Sequence, residues 1–183
     1  MHSSVAASVM GRKYLEAFGA SPVPSFSQYC AAGREPDRLA ALGYRRAGDG
    51  AVFLESYLDA PVETEVSRAF GRQVARPEIV EIGNFAADNA LVMLELWGAV
   101  ANDLAGRSEI AVATLTAPLR RIFSRIGVPF VSIAPARAER LGERAAEWGS
   151  YYRQDPEVCA GEIVAGQAAI ARWRSRRVSQ VAA

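Results

Sequence analysis

Ile79-Val80-Glu81-Ile82-Gly83-Asn84-Phe85-Ala86-Ala87-Asp88 is a short strand pattern that carries an acid among apolar residues and runs directly into a helix-like segment from Asn89 to Leu104. An acid on such a strand is costly to bury without a partner, so it is tied either to a structural counter-charge or to a chemical task. Glu81 is therefore the first candidate for a functional side chain.

Composition sets the frame around it. The chain has 183 residues, half of them apolar, and a formal charge of +1, which predicts one compact domain over 1–183 with a full core. Lys13 is the only lysine, and arginine is balanced by Asp and Glu along most of the chain, without the basic excess of a nucleic-acid binder. Cys30 and Cys159 are far apart and lack ligand spacing, which reads as two unpaired thiols in a reducing compartment. The only histidine is His2, so His-based triads and most zinc sites are excluded. Chemistry must then run on carboxylates, hydroxyls, tyrosines or backbone, with no metal. Val5 to Met10 is too short for a secretory core and Arg12-Lys13 follow it rather than precede it, while Glu95 and Asp103 interrupt the most apolar stretch. A cytoplasmic protein without a membrane span is the expectation.

Period and punctuation predict alternating strands and helices. A first helix closes over Tyr14 to Phe18, a strand runs from Ser25 to Ala32, a turn at Gly33 and Pro36 follows, and a second strand spans Arg38 to Ala47. Gly48-Asp49-Gly50 reads as a hairpin turn into a third strand, Ala51 to Leu58. Asp59, Pro61 and Glu63 open a helix that Gly71 ends near Phe70. After the Glu81 strand and the 89–104 helix come a strand at Ile110 to Thr114 and a helix opened by Pro118. That helix has Leu119, Ile122, Phe123 and Ile126 as its buried stripe. A strand from Val128 to Ile133, a helix near Ala138 to Ala146 and a closing helix from Glu162 to Arg174 complete the reading. An antiparallel meander followed by strand, helix, strand, helix, strand is an α/β or α+β layout around a mixed sheet.

The block Ala113 to Val128 resembles the late strand, helix and strand of GNAT-type acyltransferases. Three further blocks, Phe53-Leu54-Glu55-Ser56-Tyr57-Leu58-Asp59-Ala60-Pro61-Val62-Glu63, Glu81-Ile82-Gly83-Asn84-Phe85-Ala86 and Trp148-Gly149-Ser150-Tyr151-Tyr152, together resemble the signature of the thermostable hemolysin family, from about Tyr14 to Ile163. The family name implies a membrane-active or non-enzymatic interaction protein. Lysis needs segments that satisfy their backbone in lipid, and the sequence offers none. The fold resemblance implies instead a GNAT-like mixed sheet flanked by helices, an acyltransferase distantly similar to acyl-homoserine lactone synthases. Its thioester donor would lie in a splay between two central strands.

That resemblance assigns roles. Glu81 would be the base, directly or through water; the alternative is a buried strut paired with an arginine. Ile82, Gly83 and Asn84, the last two offering a bulge and amide donors, would lie along the donor, with Thr114, Thr116 and Arg120. Thr116 reads equally as the N-cap before Pro118. Tyr151 or Tyr152 would protonate the leaving sulfur or line the pocket; simple packing is the alternative. Glu55, Ser56 and Tyr57 would shape the acceptor pocket, although strand burial also explains Tyr57. The glycine-rich phosphate turn of GNAT enzymes is missing at Phe85-Ala86-Ala87-Asp88-Asn89, and Asp88 would repel a pyrophosphate. The expected donor is therefore an acyl thioester on the phosphopantetheine of an acyl carrier protein, docked on Arg120, Arg121 and Arg125, ahead of coenzyme A or an aminoacyl-tRNA. The acceptor would be a small-molecule amine, in keeping with a role in specialised biosynthesis, with no tightly bound cofactor, nucleic acid or membrane partner.

Overall fold

In the computed structural model, which describes residues 2–23, 25–34, 38–104 and 106–181, helix α1 (His2–Phe18) precedes an antiparallel pair, β1 (Gln28–Arg34) and β2 (Arg38–Arg46). Pro36, expected in the intervening turn, lies outside the described residues. Helix α2 (Val62–Phe70), strand β3 (Ile79–Ala87), helix α3 (Ala90–Leu104) and strand β4 (Ile110–Leu115) follow. Helix α4 (Ala117–Ile126), strands β5 (Val131–Pro135) and β6 (Glu157–Glu162) and helix α5 (Ile163–Val181) complete the chain. The sheet order is β1-β2-β3-β4-β6-β5; β3 and β4 are parallel and every other neighbouring pair is antiparallel. This is the mixed, helix-flanked sheet that the sequence predicts.

Helices cover both faces of β3. Val80 and Ile82 pack with Val92, Leu96 and Val100 of α3, whereas Ile79 joins Leu54, Val62 and Val66 on the opposite face. Ile79, Val80 and Ile82 are 0–2% exposed, and burying each contributes roughly 1.5–3 kcal/mol. Those three aliphatic residues hold the strand in the core and carry Glu81 in with them. Tyr14, Met10 and Val9 of α1 seat on Ala41, Ala86 and Tyr151, so α1 lies over the later half of β3. Cys30 and Cys159 are free thiols.

Several boundaries differ from the sequence reading, each for an identifiable reason. Gly48-Asp49-Gly50 does not make a hairpin, and 51–58 is not a strand: Ala47–Asp49 and Phe53–Tyr57 are 3₁₀ turns. The amides a ladder would need are taken by carboxylates, with Phe53 and Leu54 donating to Glu81 and Val52 donating to Glu55. Arg76 closes the other side by donating to the carbonyls of Ala47 and Gly50. The third strand of the meander is β3 itself. The strand expected from Val128 starts at Val131, since Pro129 has no N–H for a ladder. The helix expected near 138–146 is a 3₁₀ stretch, Ala138–Trp148, interrupted at Gly142. Strand β6 is absent from the sequence reading, because Glu157-Val158-Cys159-Ala160-Gly161-Glu162 is short, small-residue rich and bounded by acids. It fills the slot between β4 and β5, and Glu162, pairing with Ile110, belongs to it rather than to α5.

Candidate active site

Strand β3 does not stay with both neighbours along its length. Ala41 of β2 faces Ala86 and Gly43 faces Gly83, so β3 carries an extra residue between them. In that bulge Asn84 adopts a left-handed backbone, φ 52°, which Asn tolerates better than most residues. Its buried side chain is fixed by Nδ2 donating to the Tyr29 hydroxyl at 3.1 Å. On its other edge β3 pairs with β4 only through Ile79 with Ile110, Val80 with Ala111 and Glu81 with Val112. Past Glu81 the bulged strand continues beside β2 while β4 runs on with β6 to Leu115. The two central strands part, and the wedge between them opens into a cavity of about 310 Å³, at the lower end of the range for small-ligand sites.

Glu81 stands at the apex of this wedge, 3% exposed and on the cavity wall. Its Oε1 accepts the Leu54 N–H and its Oε2 the Phe53 N–H, both at 2.9 Å, and Arg45 Nε lies 2.9 Å from Oε2 in an ion pair. Burial pushes the Glu81 pKa above its ordinary value, with Arg45 and the two amides pulling the other way. A carboxylate can accept about four hydrogen bonds, so acceptor capacity remains on Oε1. A buried acid that is held in place, raised in pKa and open to a cavity is equipped for proton abstraction. The same contacts make it a strut that fastens the 53–57 turn to the sheet.

Aromatic rings build the wall beside it. Phe26 lies on a notch made by the facing glycines of β2 and β3: a Cβ on Gly43 would meet its ring at 2.7 Å, and one on Gly83 at 2.6 Å. The Arg45 guanidinium sits 4.5 Å from the Phe26 ring centroid, so ring, cation and carboxylate are stacked in sequence. Phe53 lies 5.7 Å from Trp148, and Trp148 lies 6.0 Å from Tyr14 and 5.3 Å from Tyr151 between ring centroids. Gly149 makes that arrangement feasible. Its φ is +53° and a Cβ there would come within 2.1 Å of the Phe18 carbonyl, which lets Ser150 N–H donate to the end of α1 at 2.9 Å.

The structure brings most of the expected residues to this cavity and sets others apart. Ile82, Gly83, Asn84, Tyr57, Thr114, Thr116 and Tyr151 line it with Glu81. Thr116 also occupies the N-cap position of α4, without a side-chain cap bond. Tyr151 donates to the Thr114 carbonyl at 3.4 Å, and burial raises its pKa well above the ordinary phenol value, leaving a neutral hydroxyl. Tyr152 stands behind the wall, its hydroxyl 2.7 Å from that of Tyr57. Glu55 and Ser56 are not on the cavity: Ser56 is exposed, and Glu55 binds Arg76 at 2.6 Å and accepts the Val52 and Val62 N–H groups. The Arg76 contact lowers the Glu55 pKa to about 2, with the two amides adding to it against burial. Arg120 is committed elsewhere, ion-paired to Asp155 at 2.7 Å and Glu157 at 3.0 Å and donating to the Leu115 carbonyl. Arg121 and Arg125 are exposed and make no ion pair among the described residues. Asp88 is ion-paired to Lys13 at 2.9 Å and Arg12 at 3.2 Å, which offsets the repulsion expected of it, while Asn89 Oδ1 accepts the first free amides of α3, from Leu91 and Val92.

Arg45, Phe26, Lys13 and Tyr14 escape the sequence reading. Their one legible signal is the requirement that a buried Glu81 find an arginine; Arg45 meets it from the neighbouring strand. Among the described residues no helix is long and apolar enough to cross a membrane, and no cluster of acids, cysteines or histidines is placed to hold a metal.

Comparison with known proteins agrees with this architecture. The pattern of the family Thermostable hemolysin matches residues 2–167, and the chain belongs to that family. No curated protein sequence matches it. Among solved structures it is similar to TofI, seen with an inhibitor and MTA, at 16% identity and TM-score 0.56 over 93% of this chain and 91% of that one. It is similar to FeeM, an N-acyl amino acid synthase from uncultured soil microbes, at 16% identity and TM-score 0.54 over 94% and 93% of the two chains. It also matches BjaI, a CoA-dependent acyl-homoserine lactone synthase seen with SAM and isopentyl-CoA, at 15% identity and TM-score 0.55 over 94% and 81%. The shared feature is the fold.

Proposed function

We propose that this member of the thermostable hemolysin family is an N-acyltransferase that moves an acyl or aminoacyl group from a thioester to the amine of a small metabolite. The observation that carries the reading is the wedge, in which a buried carboxylate sits where two central strands part above a cavity. The activities named for FeeM and BjaI, which share the fold, support it by analogy.

The chemistry follows from the positions. An extended pantetheine-type arm enters the wedge, where β3 and β4 make no ladder bonds to each other, and its amides pair with the open strand edges. The acceptor ammonium gives a proton to Glu81, directly or through water. The nitrogen lone pair then attacks the thioester carbonyl carbon, forming the C–N bond, and the C–S bond breaks with its electron pair on sulfur. The leaving thiolate takes a proton from a phenol, Tyr151 on the wall or Tyr57, whose hydroxyl lies 2.7 Å from that of Tyr152. The second proton of the attacking nitrogen returns to that phenolate, leaving a neutral amide and a free thiol. Burial raises the Tyr57 pKa, so the phenol is protonated.

A carrier-protein thioester fits better than free coenzyme A. The α3 amides that could hold a pyrophosphate are already capped by Asn89, and Lys13 and Arg12 are engaged by Asp88. The test is incubation of the purified protein with one acyl group on a carrier protein or on coenzyme A, plus a panel of amines. Free thiol and new amide are followed together. Amine-dependent amide formation is expected; its absence across the panel would sink the reading.

A further inference from the structure

We infer that the acceptor is an arylalkylamine, a primary amine on a flat aromatic body with no carboxylate on the amine-bearing carbon; this rests on the acyltransferase reading above. The charge on the cavity wall is the reason. Among the described residues lining it, Glu81 is the only acid and Lys13 the only cation. Lys13 is bound to Asp88 and Glu16 at the far end of β3, on the order of 20 Å from Glu81 at the rise of an extended strand. Arg45 and Arg144 lie against the rings of Phe26 and Phe53, yet neither is on the cavity wall.

An α-amino acid carries amine and carboxylate on one carbon. With its nitrogen at Glu81, its carboxylate would sit beside another carboxylate, far from Lys13 and among aromatic rings. The nearby cation, Arg45, is already paired with Glu81 and held against the Phe26 ring off the cavity wall. Removing a carboxylate from water without a cation to pair with it is among the most costly steps in binding. A cationic amine with an aromatic body meets the opposite environment. Its ammonium is attracted by Glu81 and by ring faces, and its ring packs on Phe26, Phe53 and Trp148, which surround Glu81. Phe53 donates its own N–H to Glu81, Phe26 covers the Gly83 beside it, and Trp148 packs on Phe53 with its ring tilted.

The experiment compares tyramine, tyrosine and tyrosine methyl ester, and the phenylalanine series likewise, as acceptors with a matched acyl thioester on both carriers. The amine is expected to exceed its amino acid at least about a hundredfold in kcat/KM, and the methyl ester, which removes the charge but keeps the bulk, to recover most of that difference. An amino acid as good as its amine, or an ester as poor as its acid, overturns the inference while leaving acyl transfer intact. If no acceptor releases thiol, the acyltransferase reading has failed. Calorimetric titration of the protein alone with tyramine and tyrosine then decides the inference separately, tighter tyramine supporting it and equal or weaker tyramine overturning it.

Discussion

Arg45 and Glu81 face each other as register partners across β2 and β3, with Nε 2.9 Å from Oε2, and the same carboxylate receives the amides of Phe53 and Leu54. One side chain thus serves two ends. It fastens the turn that replaces a third hairpin strand, and it places a carboxylate where β3 leaves β4. On the proposed mechanism the strut and the base are the same residue, so removing it is expected to affect stability and turnover together.

Glu81→Gln is expected to lower turnover about 10²–10⁴-fold through loss of the base. It should also cost about 1–3 kcal/mol of stability, because the amide has a single acceptor oxygen and sets an NH₂ group among three donors. Turnover measured at a temperature where circular dichroism shows the variant folded separates the two effects. A folded variant with unchanged turnover would leave Glu81 a strut only.

Arg45→Gln keeps the carboxylate and removes the cation that pulls its pKa down. The base must be deprotonated, so kcat/KM rises as pH rises through the Glu81 pKa, which burial already holds above the ordinary carboxylate value. In the variant this limb should move further toward alkaline pH while the plateau above it is largely kept. A pH profile that does not move would mean that the base lies elsewhere.

Much of this site was legible in the sequence, and the part that was not has a common cause. The strand 79–87, its acid, the bulge at Gly83-Asn84 and the helices with clear stops all rest on local pattern, and all are present. The failures depend on partners distant in sequence. The 51–58 segment alternates like a strand, but Glu81 and Glu55 capture its amides, and no local pattern reports a carboxylate 27 residues away. Strand β6 lacks β-branched density and is fixed by two neighbours, β4 and β5, on either side. Phe26 gives no signal at all, since the two glycines that seat it are brought together only by the register of β2 and β3.

Gly83→Ala tests that seat. The added methyl would lie 2.6 Å from the Phe26 ring, so the ring must leave the notch and uncover Arg45. A loss of about 1–3 kcal/mol is expected from overpacking, together with a raised KM for the acceptor and a smaller change in kcat. Fluorescence of Trp148, which stands in the same aromatic wall, and urea denaturation would report the displacement. A variant with wild-type stability and KM would show that Phe26 rests there without consequence.

Acid stability should follow Glu55. Its pKa is about 2 in the fold against an ordinary 4.5, a depressed value. Its contribution is therefore fully present above about pH 4.5 and is lost as pH falls toward 2. Asp88, lowered from 3.8 to about 2 chiefly by Lys13, acts in an overlapping window. Urea midpoints across pH 2–5 should decline in the wild type, and in Glu55→Gln the decline should be shallower from a lower starting stability. Parallel curves for the two proteins would remove Glu55 from the acid response.

The proposed choice of donor is tested by the charge on α4. Arg120 is locked to Asp155 and Glu157, whereas Arg121 and Arg125 stand exposed on the same helix without an acidic partner among the described residues. An acidic carrier protein would meet those two guanidinium groups on the surface, and its approach would be steered by a field that salt screens as the Debye length falls from about 10 Å toward 3 Å. The expected result is a higher kcat/KM with the acyl carrier protein than with the matching acyl-CoA, a decline with salt on the carrier protein alone, and a further loss there in Arg121→Glu with Arg125→Glu. The acyl-CoA rate serves as the internal control, because a reversal that merely disturbed the fold would lower both. Equal use of the two carriers, or no effect of the charge reversals on either, would show that the pantetheine arm is delivered without a docking surface on α4.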